Sequence, residues 1–140
     1  MLAPLTAACL AAAAHAYTVP GQYLYAILSV EGGQVGQSVS DRNGTHDLGP
    51  FQINTTWGPA IGRLWSMSVD DALARVRDNG CANAVIAAAI LDQCAAEAGG
   101  DFFTAVGLYH SRKANLAGPY REKVLAALQL LNSRDKRSHE

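Results

Sequence analysis

The 140-residue chain is poor in charge, with 16% Asp, Glu, Lys and Arg and a formal net charge of −1. That balance gives no basic face for nucleic acid and no general attraction to an anionic polymer. No apolar run is long enough to span a bilayer once the first residues are set aside. The four histidines, His15, His46, His110 and His139, show no metal-ligand spacing. There are no internal repeats and no second hydrophobic pattern that would mark another domain. What remains is one ordinary globular domain, 49% hydrophobic.

Cysteine is scarce too, and its placement matters. Residues 1–16, MLAPLTAACLAAAAHA, are apolar, rich in Ala and closed by Ala14-His15-Ala16, a small-x-small pattern. They are expected to be a secretory signal peptide although the stretch has no Lys or Arg; the other reading is a buried N-terminal helix. Cleavage after Ala16 would remove Cys9 and leave Cys81 and Cys94 in an oxidising compartment. An even count normally means a disulfide, but on one helix these two would stand about 20 Å apart, too far to join. Both are expected to be unbridged and mostly buried.

The chain is organised around Ile27–Asn54, ILSVEGGQVGQSVSDRNGTHDLGPFQIN. Leu24, Ile27, Leu28 and Glu31 form one helical stripe, so Glu31 faces the core or a cleft. Gly32 and Gly33 follow as a helix end. Desolvation and the negative pole of the helix are expected to keep the Glu31 carboxyl protonated, as a general acid requires. The bland reading is a solvated glutamate at a helix end. The Gly-rich loop up to Pro50 is long, and long loops in compact domains are usually functional or disordered.

Beyond this stretch the chain reads as helices. Thr18 and Pro20 open the first. Asn54 or Thr55 can cap a short one through Trp57 to Leu64, with Trp57 more a core residue than a ligand platform. Ser68–Asp71 resembles a capping box ahead of the stripe Val69, Ala72, Leu73 and Val76, which ends at Asn79-Gly80. Ala82–Glu97 is nearly all apolar and is expected to be the central helix. Asp101 can cap a helix from Phe102 to Tyr109. Gly118-Pro119 is expected to open the last, with Tyr120, Val124, Ala127, Leu128 and Leu131 inward and 132–140 a charged, frayed tail.

Glu31, Gly49-Pro50-Phe51-Gln52-Ile53, Ala105-Val106-Gly107-Leu108-Tyr109-His110-Ser111 and Tyr120 stand in the order of a known pattern. A Glu at a helix end is followed by G-[LP]-M-Q-I, an A-x-x-x-Y-N-A-G-like element and a C-terminal Tyr. The chain resembles the lysozyme-like lytic transglycosylases, in particular the small ones of conjugation, type IV secretion and pilus machines. It departs at Gly32, where many relatives have Ser, at Phe51 for Met, and at His110-Ser111-Arg112 for Asn-Ala-Gly. Many relatives also pair the Cys81 position with a cysteine near the mature N-terminus, where this chain, cut after Ala16, has none.

The resemblance implies a mainly α, lysozyme-like (goose-type) single domain over 17–131, with a catalytic cleft between the Glu31 loop region and the later helices. The implied substrate is peptidoglycan, cut between N-acetylmuramic acid and N-acetylglucosamine, with Glu31 catalytic and no metal or cofactor. Gln52, Tyr109, Tyr120, Asn43 and Phe51 are the implied substrate-binding residues. An exported, periplasmic monomer, serving a secretion, conjugation or pilus complex, is expected. Two alternatives stand beside it: a hydrolytic lysozyme with Asp41 or Asp47 as second carboxylate, and a non-catalytic peptidoglycan-binding assembly factor.

Overall fold

The computed structural model describes the backbone of residues 1–138 and side chains up to Arg134. Seven α-helices and a small three-stranded sheet lie among the described residues, so the chain is mainly α. It packs as two compact units, each drawn from two stretches of sequence. The first takes Met1–Ala13 and Glu31–Ala87; the second takes Ala14–Val30 and everything from Ala88. Helices α1 (Ala7–Tyr17), α2 (Gly21–Glu31) and α5 (Gly80–Glu97) contribute to both.

The first unit is organised by the end of one helix. Helix α4 (Val69–Asp78) starts on Ser68, whose hydroxyl accepts the Asp71 N–H as the capping pattern predicts. A helix leaves its last four carbonyls without intrahelical partners. Here each meets a different donor. Arg75 O accepts from Asn79 N (3.0 Å), Arg77 O from Gly36 N (2.7 Å) and Asp78 O from Ala3 N (2.9 Å). Val76 O accepts from the Asn83 side chain at 3.0 Å. One helix terminus thereby gathers the N-terminal segment, the Gly-rich loop and α5. Val69, expected on the inner stripe, is 41% exposed, while Ala72 and Val76 are buried.

The N-terminal segment is part of this unit. Ala3 also accepts from Gly80 N at 2.9 Å. A side chain at Gly80 would meet Leu5 N at 2.3 Å, so only glycine allows that approach. Leu10 and Ala13 of α1 are buried. Cys9 is bonded to Cys81, with Cα atoms 5.5 Å apart. The expectation that Cys81 is unbridged is therefore corrected, and Cys94 alone is free. The geometric exclusion applied to Cys81 with Cys94, which do share α5; the true partner lay in the stretch set aside as a leader. The peptide bond after Ala16 lies inside α1.

The long loop is also more regular than its glycines suggested. Strands β1 (Ser38–Ser40), β2 (His46–Leu48) and β3 (Ile53–Asn54) form an antiparallel meander in which Ser38 faces Leu48 and Asp47 faces Asn54. Asn54 then caps a 3₁₀ turn (Thr55–Trp57) through the Thr56 N–H, and α3 (Gly58–Trp65) follows. Arg75 lies over the Trp65 ring at 4.4 Å.

Among its described residues, the second unit's regular elements are all helices. Its core comprises Leu24, Ala26 and Ile27 of α2, Ala88, Leu91 and Cys94 of α5, Ala105 and Val106 of α6 (Phe102–His110), and Val124 of α7 (Ala114–Ser138). Asp101 caps α6 as expected, accepting from Phe103 N. A side chain on Gly107 would stand 3.1 Å from Ala117 O, so α6 and α7 touch nearly backbone to backbone. Helix α7 starts four residues before the expected Gly118-Pro119. Its first turn forms through Ala117 N to Lys113 O (2.8 Å), and Pro119, which cannot donate to Asn115 O, sits inside it. It continues to Ser138 where a frayed tail was expected; His139 and Glu140 lie outside the described residues. Extending an existing helix carries no nucleation cost, so an exposed end can outlast the apolar stripe.

Candidate active site

Glu31 is the last residue of α2 and is half-buried. Gly32 takes the left-handed conformation that ends many helices, with φ +62°. Gly33 then docks on the turn between β2 and β3, its N–H donating to Pro50 O at 3.1 Å. A Cβ on Gly33 would lie 2.1 Å from Gly49 O and 2.6 Å from Gln52 Nε2. The chain two residues beyond the carboxylate is thus pressed against the turn that carries Gln52.

That turn is held in an uncommon shape. Gly49 has φ +68° and Gln52 φ +53°; a non-glycine residue there costs roughly 1 kcal/mol. Gln52 N–H and Gln52 Nε2 both donate to Gly49 O, at 3.1 and 3.0 Å. Gly49 N–H donates to Gln37 O at 2.9 Å.

Beneath the turn lies Asn83, a residue the sequence reading passed over. It has no exposed surface. Its Oδ1 accepts from Phe51 N at 2.9 Å, and its Nδ2 donates to Leu48 O at 2.8 Å and Val76 O at 3.0 Å. Both amide hydrogens and the carbonyl oxygen are in use. The signal was available: a single Asn in an otherwise apolar helical run must find partners if it is buried.

Phe51, expected among the substrate-binding residues, has a fully buried side chain, and its backbone N–H donates to Asn83 Oδ1. Asn43 is exposed at the β1–β2 turn, its Oδ1 accepting from Thr45 N at 3.2 Å and Thr45 Oγ1 at 2.6 Å. The two alternative carboxylates meet at one amide. Asn54 Nδ2 lies 3.0 Å from Asp41 Oδ2, 3.0 Å from Asp47 Oδ1 and 2.9 Å from Thr45 Oγ1. Both aspartates thereby brace the meander.

In the second unit, Tyr109 is half-buried near the end of α6, its ring 6.5 Å from that of Tyr120. Tyr120 is buried, with the His110 ring stacked on it at 4.6 Å and 6°. The three residues that depart from the familiar Asn-Ala-Gly are each engaged. His110 covers Tyr120, Ser111 Oγ accepts from Lys113 N, and Arg112 forms a two-pronged pair with Glu97. That pair holds the Glu97 carboxyl below its ordinary value and raises Arg112. Burial pushes the nearby Cys94 thiol up to about 11, which leaves it unreactive. Among the described residues no three His, Cys, Asp or Glu side chains cluster to hold a metal ion, and no single helix is long and apolar enough to cross a membrane.

A mainly α chain in which a helix ends on a glutamate, and the second residue beyond it docks on a glycine-bearing turn beside a small antiparallel sheet, is consistent with a lysozyme-like domain. The chain belongs to the transglycosylase SLT domain family, whose model matches residues 8–123. A comparison with curated proteins finds no match. The domain is therefore of the lytic transglycosylase type, and its substrate class is peptidoglycan, which lies outside the cytoplasmic membrane. The matched region starts inside α1, within the stretch expected to be a leader.

Proposed function

We propose that this protein cleaves the β-1,4 bond between N-acetylmuramic acid and N-acetylglucosamine in peptidoglycan, with Glu31 as the only essential carboxylate. The docking of Gly33, two residues beyond Glu31, on the Gly49–Gln52 turn is the observation that supports the reading, in a family whose substrate is this glycan. Glu31 donates its proton to the glycosidic oxygen as the bond from the muramic anomeric carbon to that oxygen breaks. The 2-acetamido oxygen of the same sugar stabilises the electron-poor carbon. The carboxylate then takes the proton of the sugar's own 6-hydroxyl while that oxygen bonds to the anomeric carbon. An internal nucleophile has a high effective concentration and outcompetes water where water is excluded. The products are a 1,6-anhydromuramic end and a free 4-hydroxyl, with no water consumed. The bonding of Asp41 and Asp47 to Asn54 supports leaving both out of the chemistry.

In this reading Gln52, Asn43, Tyr109 and Tyr120 are substrate-binding residues. The protein works outside the cytoplasmic membrane as a monomer, opening the wall locally for a secretion, conjugation or pilus machine. Support for that role is the likeness of Glu31–Asn54 and Ala105–Ser111 to the small transglycosylases of such systems. We keep residues 1–16 in the working form, since Cys9, Leu10 and Ala3 belong to the folded first unit.

Mass spectrometry of digested peptidoglycan tests the reading. Anhydro ends are expected from wild type, Asp41→Asn and Asp47→Asn, and no product from Glu31→Gln. Reducing ends, heavier by one water and lost in either Asp variant, identify a hydrolase instead. No cleavage by folded wild type leaves a binding factor.

A further inference from the structure

We propose that Asn83 is a positioning residue for Glu31, acting through the turn on which the Glu31 helix end is docked. The inference rests on the reading of Glu31 as the catalytic acid, and every link in it lies within the first unit.

Starting from Asn83, its amide spans three backbone groups on two segments: Leu48 O and Phe51 N flank the turn, and Val76 O belongs to the end of α4. The side chain is fully buried, so water cannot replace it at any of these groups. The turn so clamped presents Pro50 O to Gly33 N at 3.1 Å and leaves no room for a Cβ at Gly33. Gly49 is fitted equally closely on the other side, where a Cβ would stand 2.5 Å from Asn83 Nδ2. Two glycines and one amide therefore form a continuous stack from α5 through the turn to the residue two beyond Glu31. A second tie runs beside it: Gly36 N donates to Arg77 O at 2.7 Å, so α4 holds the loop after Glu31 as well.

Such a stack resists displacement in a way that apolar contact does not. Hydrogen bonds to a buried amide have fixed length and direction, and a misplacement of about 1 Å at a reacting group can cost on the order of 100-fold in rate. Asn83 is not assigned a contact with substrate. Its effect is on where the carboxyl is held.

The test compares Asn83→Asp, which keeps the acceptor for Phe51 N but loses both donors, with Gly33→Ala, which leaves every donor and acceptor of the Asn83 clamp in place but wedges the helix end away from the turn. Ile61→Val, a core residue outside these bonds, controls for lost stability. Two quantities are read on folded protein: kcat and KM on purified peptidoglycan, and the Glu31 titration midpoint by carboxyl-labelled NMR. Both test variants are expected to lose about 100-fold in kcat, with KM changed less than about threefold and the Glu31 midpoint displaced. Ile61→Val keeps wild-type kcat and midpoint. Wild-type kcat and midpoint in a folded Asn83→Asp overturn the proposal; if that variant does not fold, the same result in Gly33→Ala does so. Wild-type protein without activity defeats the transglycosylase reading instead, and the Glu31 midpoint in the variants still decides whether Asn83 positions it.

Discussion

Each of the two units is held together internally, and by different means. In the first, directional bonds do most of the work. Three of the last four carbonyls of α4 find a donor from another segment, Asn83 clamps the Gly49–Gln52 turn, Asn54 braces Asp41 and Asp47, and Cys9 is joined to Cys81. In the second, rings and small residues dominate: Tyr23 stacks with Phe102 at 6.0 Å, His110 with Tyr120 at 4.6 Å, and Gly107 lets α6 rest on α7. The contrast follows from content. Loops and short strands carry many backbone groups that must be paired individually, whereas helices satisfy their own and need only matching faces.

This contrast can be broken most severely at Asn83. Asn83→Leu leaves Leu48 O, Phe51 N and Val76 O buried without partners and should cost about 4 kcal/mol. In the second unit Leu91→Ala, at an equally buried site, should cost about 3 kcal/mol through its cavity. Urea unfolding of the two variants measures both. A loss below about 1 kcal/mol for Asn83→Leu would mean that the first unit does not depend on its polar clamp.

Next comes the disulfide. Opening Cys9–Cys81, which spans 72 residues, by Cys9→Ser should cost about 3 kcal/mol. Unfolded, unreduced wild type should titrate one thiol, Cys94, and reduced protein three. Intact mass of the exported protein should include Cys9. A species that starts at Tyr17 would return the first 16 residues to the role of a cleaved leader.

Smaller again is Tyr120→Leu, which removes the stack with His110 and should cost about 1 kcal/mol beyond the area it buries. Thermal melts read it, with Arg75→Gln, which removes the contact over Trp65, as the first unit's counterpart. The least effect concerns Asp78. Its bond to Arg77 holds the carboxyl below 3.8. The folded state therefore favours the ionised form. Its contribution is complete above that ordinary value and is lost as pH falls through the lower, folded one. Exposed pairs contribute up to about 1 kcal/mol, so Arg77→Gln should flatten the acid limb of the stability curve only slightly.

Legibility in the sequence follows the same division. The helices could be read because their signals are local: Ser68 and Asp101 cap as their types predict, and the apolar stripe through Ile27 ends at Glu31 and two glycines. Bonds between distant segments left no local mark. Cys9 looked like part of an apolar leader because its partner is 72 residues away, and the pairing of β1 with β2 was hidden in a loop whose glycines read as disorder or a ligand approach. The full burial of Phe51 was not legible either, because a motif position says nothing of which way the side chain turns. Pro119 misled for another reason. It stops a helix that is forming in front of it less effectively than a rule for helix starts assumes, once Lys113 O has closed a turn.

The interleaving of the two units bears on the order in which the molecule can be made. Chains emerge from the ribosome N-terminus first. By the time Ala87 has emerged, every residue of the first unit exists, including Glu31, its turn, Asn83 and both half-cystines. The second unit then still lacks α6, α7 and most of α5, and its own early stretch, Ala14–Val30, must wait for them unpartnered. A nascent chain halted shortly after α5 would therefore hold all of the first unit and neither α6 nor α7, so the order of synthesis separates the two units in time.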